Sequence, residues 1–135
     1  MKILLPLATA LVLSAATLSS QAACMRCAPI QNVTDAPVPA DGGKPMSSEE
    51  VRKAIVRAGA TLGWQMSSSA PGKIAGTLVL RTHTAVVEIP YSSKSYSILY
   101  KSSVNLDEGD GQIHKNYNSW IQNLDKAIKV QLTAH

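Results

Sequence analysis

The sequence predicts a small α+β domain: an N-terminal helix, a four-stranded antiparallel meander, and a C-terminal helix packed on the same sheet face. Three observations carry that expectation. Apolar residues repeat at helical spacing over Gln112 to Leu132. A second helical stripe follows a capping signature at Ser47 to Glu50. Between Trp64 and Lys101 the apolar period drops to two.

The first helix opens on Ser47-Ser48-Glu49-Glu50, where Ser47 serves as N-cap and Glu50 completes the capping box. Val51, Ala54, Ile55, Ala58 and Leu62 form its buried stripe, and Gly59 or Gly63 ends it. Trp64, Met66 and Ser68 then alternate with Gln65 and Ser67, and Ala70-Pro71-Gly72 turns the chain. Lys73 to Leu80 reads as the second strand, with Ile74, Leu78 and Leu80 on one side and Thr77 and Val79 on the other. A reversal must follow within Arg81 to Thr84, because an unbroken strand to Ile89 would be too long. Ala85, Val87, Ile89 and Tyr91 form the inner row of the third strand. Tyr96, Ile98 and Tyr100 form that of the fourth. The last helix carries Ile113, Tyr117, Trp120, Ile121, Leu124, Ile128 and Leu132 within a stripe of roughly 120°.

The domain so defined occupies residues 47–135. Residues 1–23 read as a signal peptide: Lys2, the apolar run Ile3 to Leu18, then small residues before Cys24. Pro6 and the polar interruptions argue against a membrane span. Residues 24–46 hold Pro29, Pro37, Pro39 and Pro45, which exclude a regular helix and disfavour a central strand. They form either an extended tether or an irregular arm lying on the domain. The expected location is the periplasm, with a lipid anchor to the outer membrane, or otherwise a soluble periplasmic or secreted form.

Gln21-Ala22-Ala23-Cys24 resembles a lipobox, which makes Cys24 the expected lipidation site. A disulfide between Cys24 and Cys27 is the alternative in an oxidising compartment. Haem attachment needs a histidine after the second cysteine, and residue 28 is alanine. The formal charge of +4 is scattered along the chain and offers no basic stripe for nucleic acid.

No catalytic motif is present, and an enzyme is not expected. The serines lie in neither G-x-S-x-G nor S-x-x-K. No cofactor is expected. The acidic turn Asp107-Glu108-Gly109-Asp110 fails the EF-hand spacing and no histidine pair has ligand spacing, so no metal site is expected either. A small-ligand or metal site built from His114 and that turn remains the alternative function, as does a secreted enzyme inhibitor. The candidate binding residues are Tyr91, Tyr96, His114, Asn116, Tyr117 and Trp120, whose rings form either a core or the rim of a recognition groove.

The runs Ile89-Pro90-Tyr91, Tyr96-Ser97-Ile98-Leu99-Tyr100, Ser103-Val104-Asn105-Leu106 and Ile113-His114-Lys115-Asn116-Tyr117-Asn118-Ser119-Trp120 resemble a group of small proteobacterial envelope lipoproteins. Gly63-Trp64 and Ala28-Pro29-Ile30-Gln31-Asn32-Val33 fit the same pattern. The resemblance implies an exported envelope domain and brings no catalytic residue with it. The expected role is a lipid-anchored, non-enzymatic accessory or binding module. Its partner would be an envelope protein or a cell-wall component.

Overall fold

A computed structural model describes Ala10, Val12 and residues 24–40 and 42–134. Apart from Ala10 and Val12, the signal peptide expected over 1–23 lies outside the described residues, as does His135. The chain order is β1 (Cys27–Pro29), β2 (Val33–Pro37), α1 (Ser48–Thr61), β3 (Gln65–Ala70), β4 (Lys73–Leu80), β5 (His83–Pro90), β6 (Ser95–Val104), β7 (Gln112–His114) and α2 (Lys115–Thr133). The class is α+β, as expected, but the strand count and the order of elements differ. The main sheet has five strands in the order β2-β6-β5-β4-β3, all antiparallel, and β1 and β7 form a separate two-stranded sheet. Two strands precede α1, so that helix is not the N-terminal element.

The expected meander survives as β3-β4-β5-β6, and each pairing follows from alternation. Ile74, Leu78, Ala85, Val87, Ile89, Tyr96 and Ile98 are buried on the inner face. Leu80 shares their side of β4 by parity but lies at the hairpin end beyond the core, and it is 42% exposed. The reversal there is tight. Leu80 pairs with His83, which leaves Arg81 and Thr82 as the turn, with Arg81 at φ 55°. Asn105 Nδ2 donates to the Thr82 carbonyl at 2.8 Å, supplying from the side the support that a glycine turn would not need.

β6 runs longer than the alternation suggests, because a bulge resets its phase. Val86 pairs with Ser102 and Val87 with Tyr100, so Lys101 is the extra residue. Beyond it Ser103 takes the inner side, and Tyr100 Oη lies 2.8 Å from Ser103 Oγ.

The residues expected to form a tether or a loose arm are partly strands. β2 adds to the edge of the main sheet beside β6, and β1 pairs with β7. The prolines explain the position: a residue with no N–H to donate fits an edge strand and not a central one. Pairing with β1 takes Gln112–His114 as β7 of the two-stranded sheet, so α2 begins at Lys115 and not at Gln112.

Both helices cover the inner face and lie against each other, with Arg57 Nε donating to Gln131 Oε1 at 3.1 Å. α1 has the expected capping box, with Ser47 and Glu50 exchanging hydrogen bonds. It runs through Gly59, and the left-handed residue after its C-cap is Gly63 at φ 84°. Gly59 is buried because β3 crosses close beneath it. A Cβ there would collide with Met66 Cε and stand 2.6 Å from Met66 Cγ. Alanine favours a helix interior by about 1 kcal/mol over glycine, whereas overpacking costs about 1–3 kcal/mol. Gly59→Ala should therefore destabilise the domain by up to about 2 kcal/mol in urea unfolding, and the sign should reverse in a Met66→Ala background.

Candidate functional site

The segment with the densest polar chemistry is the start of α2, and the fold uses most of it internally. His114 is the N-cap, and its Nδ1 accepts from the Asn116 N–H at 3.1 Å, which places the ring proton on Nε2. The His114 N–H donates to the Leu106 carbonyl at 2.8 Å. Asn118, 5% exposed, reaches across to the arm. Its Oδ1 accepts from the Gln31 N–H at 3.1 Å, and its Nδ2 donates to the Pro29 carbonyl at 3.0 Å. Gln122 Nε2 adds a bond to Gln31 Oε1 at 3.1 Å. One buried amide thus satisfies two backbone groups of the arm.

The six candidate binding residues do not gather into one groove. Tyr96 and Tyr117 are core residues, 1% and 0% exposed. Tyr117 packs edge-on against Tyr100 with ring centroids 5.5 Å apart, and its hydroxyl has no hydrogen-bond partner among the described residues. Tyr96 donates its hydroxyl proton to Asp125 Oδ1, and Lys129 Nζ holds the other carboxylate oxygen at 2.9 Å. α2 thus runs antiparallel to β6, with Tyr100 at its first turn and Tyr96 near its middle. Tyr91, bridged to Tyr96 at the far end of β5, is well separated from His114 and Asn116. Trp120 is partly buried and packs against the core. The core reading of the rings is the one the fold adopts.

Cys24 and Cys27 form a disulfide, with their Cα atoms 5.2 Å apart. Both lie against Asp107, which β1 and the loop before β7 bring alongside. A thioether to lipid would need the same Cys24 sulfur, so the anchored form and the disulfide form exclude each other. The loop so closed is short, and its entropic contribution is about 2 kcal/mol. The acidic turn is a structural bend: Asp107 and Asp110 both have left-handed backbone, and Gly109 and Gln112 exchange backbone hydrogen bonds. Among the described residues no group of three His, Cys, Asp or Glu is placed to hold a metal ion. His83 Nδ1 lies 2.7 Å from the Asn105 carbonyl, in the turn support described above.

A hollow of about 210 Å³ lies at the other end of the molecule, lined by Asp35, Pro90, Tyr91, Ser92, Ser95 and Ser97. By parity Pro90, Ser95 and Ser97 belong to the outer side of the sheet, the one the helices leave uncovered. Of these six only Tyr91 was legible as a candidate. Asp35 sits in a proline-bearing arm with no motif around it, and the serines belong to an alternating strand. Only long-range pairing between β2 and β6 brings them together.

No family model matches the chain, and neither a curated protein nor a solved structure matches it.

Burial raises the hydroxyl pKa of both Tyr96 and Tyr117; at Tyr96 the Asp125 carboxylate adds to the effect by accepting its hydrogen bond and by its negative charge. In the unfolded chain both ionise near about pH 10. The folded state therefore keeps protons that the unfolded state gives up, so stability holds below that value and falls as pH rises through it. Each tyrosine contributes a slope of up to about 1.4 kcal/mol per pH unit above about pH 10. Urea midpoints taken from about pH 9 to about pH 11 should show the fall, and Tyr96→Phe should roughly halve the tyrosine contribution to it.

Proposed function

We propose that this chain is an exported domain of the bacterial envelope that acts by binding another envelope component and not by catalysis. The observation that carries the reading is the outer face of the main sheet. Cross-strand pairing aligns Val79, Thr84 and Val104 in one row, and Thr77, Val86 and Ser102 in the next. Val79 is 59% and Val104 55% exposed, and Val86 and Leu99 are half-buried beside them. A solvated sheet face normally alternates to polar side chains; this one keeps an apolar centre. Lys73 and Glu88, paired at 3.5 Å, give it a polar border. An apolar patch rimmed by polar groups is the signature of a contact surface.

Two features agree with export. The apolar leader at residues 1–23 supports secretion, and a disulfide between Cys24 and Cys27 suits an oxidising compartment such as the periplasm. We take the disulfide-closed form as the mature one, in place of a lipid anchor at Cys24. The His114 and acidic-turn alternative draws no support from the geometry, since the imidazole Nδ1 caps α2 and the turn carboxylates do not converge on it.

Crosslinking in whole envelopes tests the reading. Val79→Lys with Leu99→Lys should keep the far-ultraviolet spectrum of the native domain and lose its crosslinked partners. An unchanged partner set would contradict the outer face as the contact surface. Intact mass of the mature protein should fit a disulfide and no acyl chains.

A further inference from the structure

The geometry points to the hollow between β2 and the β5–β6 turn as a saccharide-binding site, with Asp35 as its principal acceptor. The inference rests on the reading of the domain as an exported binding module, and it names the chemistry of one ligand. β2 departs from regular pairing here: Val33 pairs with Ile98 and Ala36 with Tyr96, so Thr34 and Asp35 together face Ser97. Such a bulge re-aims the side chain it carries. Asp35 has φ 50°, a conformation in which glycine is at ease and a side chain is not. Its N–H donates to Ser97 Oγ at 2.9 Å and not to a strand carbonyl.

The polar groups around the hollow are complementary in kind. Ser97 is 7% exposed and accepts from Asp35, which leaves its own hydroxyl hydrogen to give. Ser92 Oγ accepts from the Lys94 and Ser95 N–H groups at 3.1 and 3.2 Å, which fixes the turn that forms one wall. Among the described residues no hydrogen bond engages the Asp35 carboxylate or the Ser95 hydroxyl, whose backbone N–H groups are the ones bonded. Pro90 supplies apolar ring surface to the same hollow, which Tyr91 also lines while packing against the core. A charge-assisted acceptor, hydroxyl donors and an apolar ring wall together match a sugar ring, which offers several hydroxyls and an apolar C–H face. The volume falls below the roughly 300 Å³ at which sites for drug-sized ligands begin, so one ring of an oligomer is the fitting occupant. An envelope protein meets such rings in cell-wall glycan.

The test is a titration of the isotope-labelled full mature protein with a β-1,4-linked tetramer of N-acetylglucosamine, followed by amide chemical shifts. Shifts should concentrate at Asp35, Ser92, Ser95 and Ser97, with a dissociation constant on the order of 1 mM. Asp35→Asn should weaken binding several-fold. Asp35→Gly should weaken it at least tenfold while leaving the urea midpoint unchanged or higher, because glycine relaxes the left-handed backbone. That pairing separates a binding role from a structural one. Absence of shifts at about ten times that concentration, or equal binding by Asp35→Gly, would overturn the proposal. So would saturation by ethanolamine at the same amides without a response to the tetramer, since the hollow would then be a cation site. A silent titration alongside partner capture by the outer face would remove the saccharide and leave the binding module standing.

Discussion

The side chain of Asn118 decides whether the first part of the described chain belongs to the domain. Its amide is buried and spends both an acceptor and a donor on the backbone between Pro29 and Gln31. Without it, the part-buried Gln31 N–H and Pro29 carbonyl would lose these bonds, at about 0.5–1.5 kcal/mol each. Neighbouring bonds act in the same direction. The Lys115 N–H donates to the Arg26 carbonyl, the Ile30 N–H to the Gly111 carbonyl, and the Tyr100 N–H to Asn32 Oδ1. The arm is thereby stitched to the start of α2 and to the middle of β6. Those bonds add to the burial of Ala36 and the packing of Ile30, Val33 and Val38 against the core in holding β1 and β2 on the domain.

Holding the arm in place has consequences at both ends of the molecule. At one end it positions the Cys24–Cys27 loop against Asp107 and beside the strand that leads into α2. At the other it lays the bulge of β2 over Ser97 and so closes one side of the hollow. The main sheet then has two distinct faces. The inner one is apolar and covered by the two helices except at the β4–β5 hairpin end, where Leu80 is exposed. The outer one is a mixed surface, apolar at the centre and polar at the hollow. Of the three register shifts in the main sheet, at Asp35, Ser69 and Lys101, those at Asp35 and Lys101 change which side chains of β2 and β6 face outward.

Much of this was legible in the sequence because it depends on local periodicity. The stripe of α1, its capping box, the alternation of β4 and β5 and the rings along α2 all follow from residues within a few positions of one another. What was hidden depends on distant partners. Cys27–Pro29 and Val33–Pro37 lack any apolar alternation, and they are strands only because β7 and β6 offer them open edges. Gln112–His114 continues the helical stripe in sequence, yet pairing with β1 takes it out of the helix. The turn at Arg81 had no glycine or proline to mark it, since Asn105 supports it from a remote strand end. The candidate site divides the same way. Tyr91 is visible as an aromatic at a strand end, whereas Asp35 gains meaning only from the bulge that carries it.

The claim that the arm is part of the fold is tested most directly by amide hydrogen exchange at Gln31. Its N–H is held by Asn118 Oδ1, and its release requires the arm to come away from α2. In the native protein it should exchange with a protection close to that of the core amides, in the range of global unfolding. In Asn118→Leu it should exchange many-fold faster while the amides of Val87 and Ile98 remain protected. Rapid exchange of Gln31 in the native protein would contradict the account, and would return residues 24–40 to a tether.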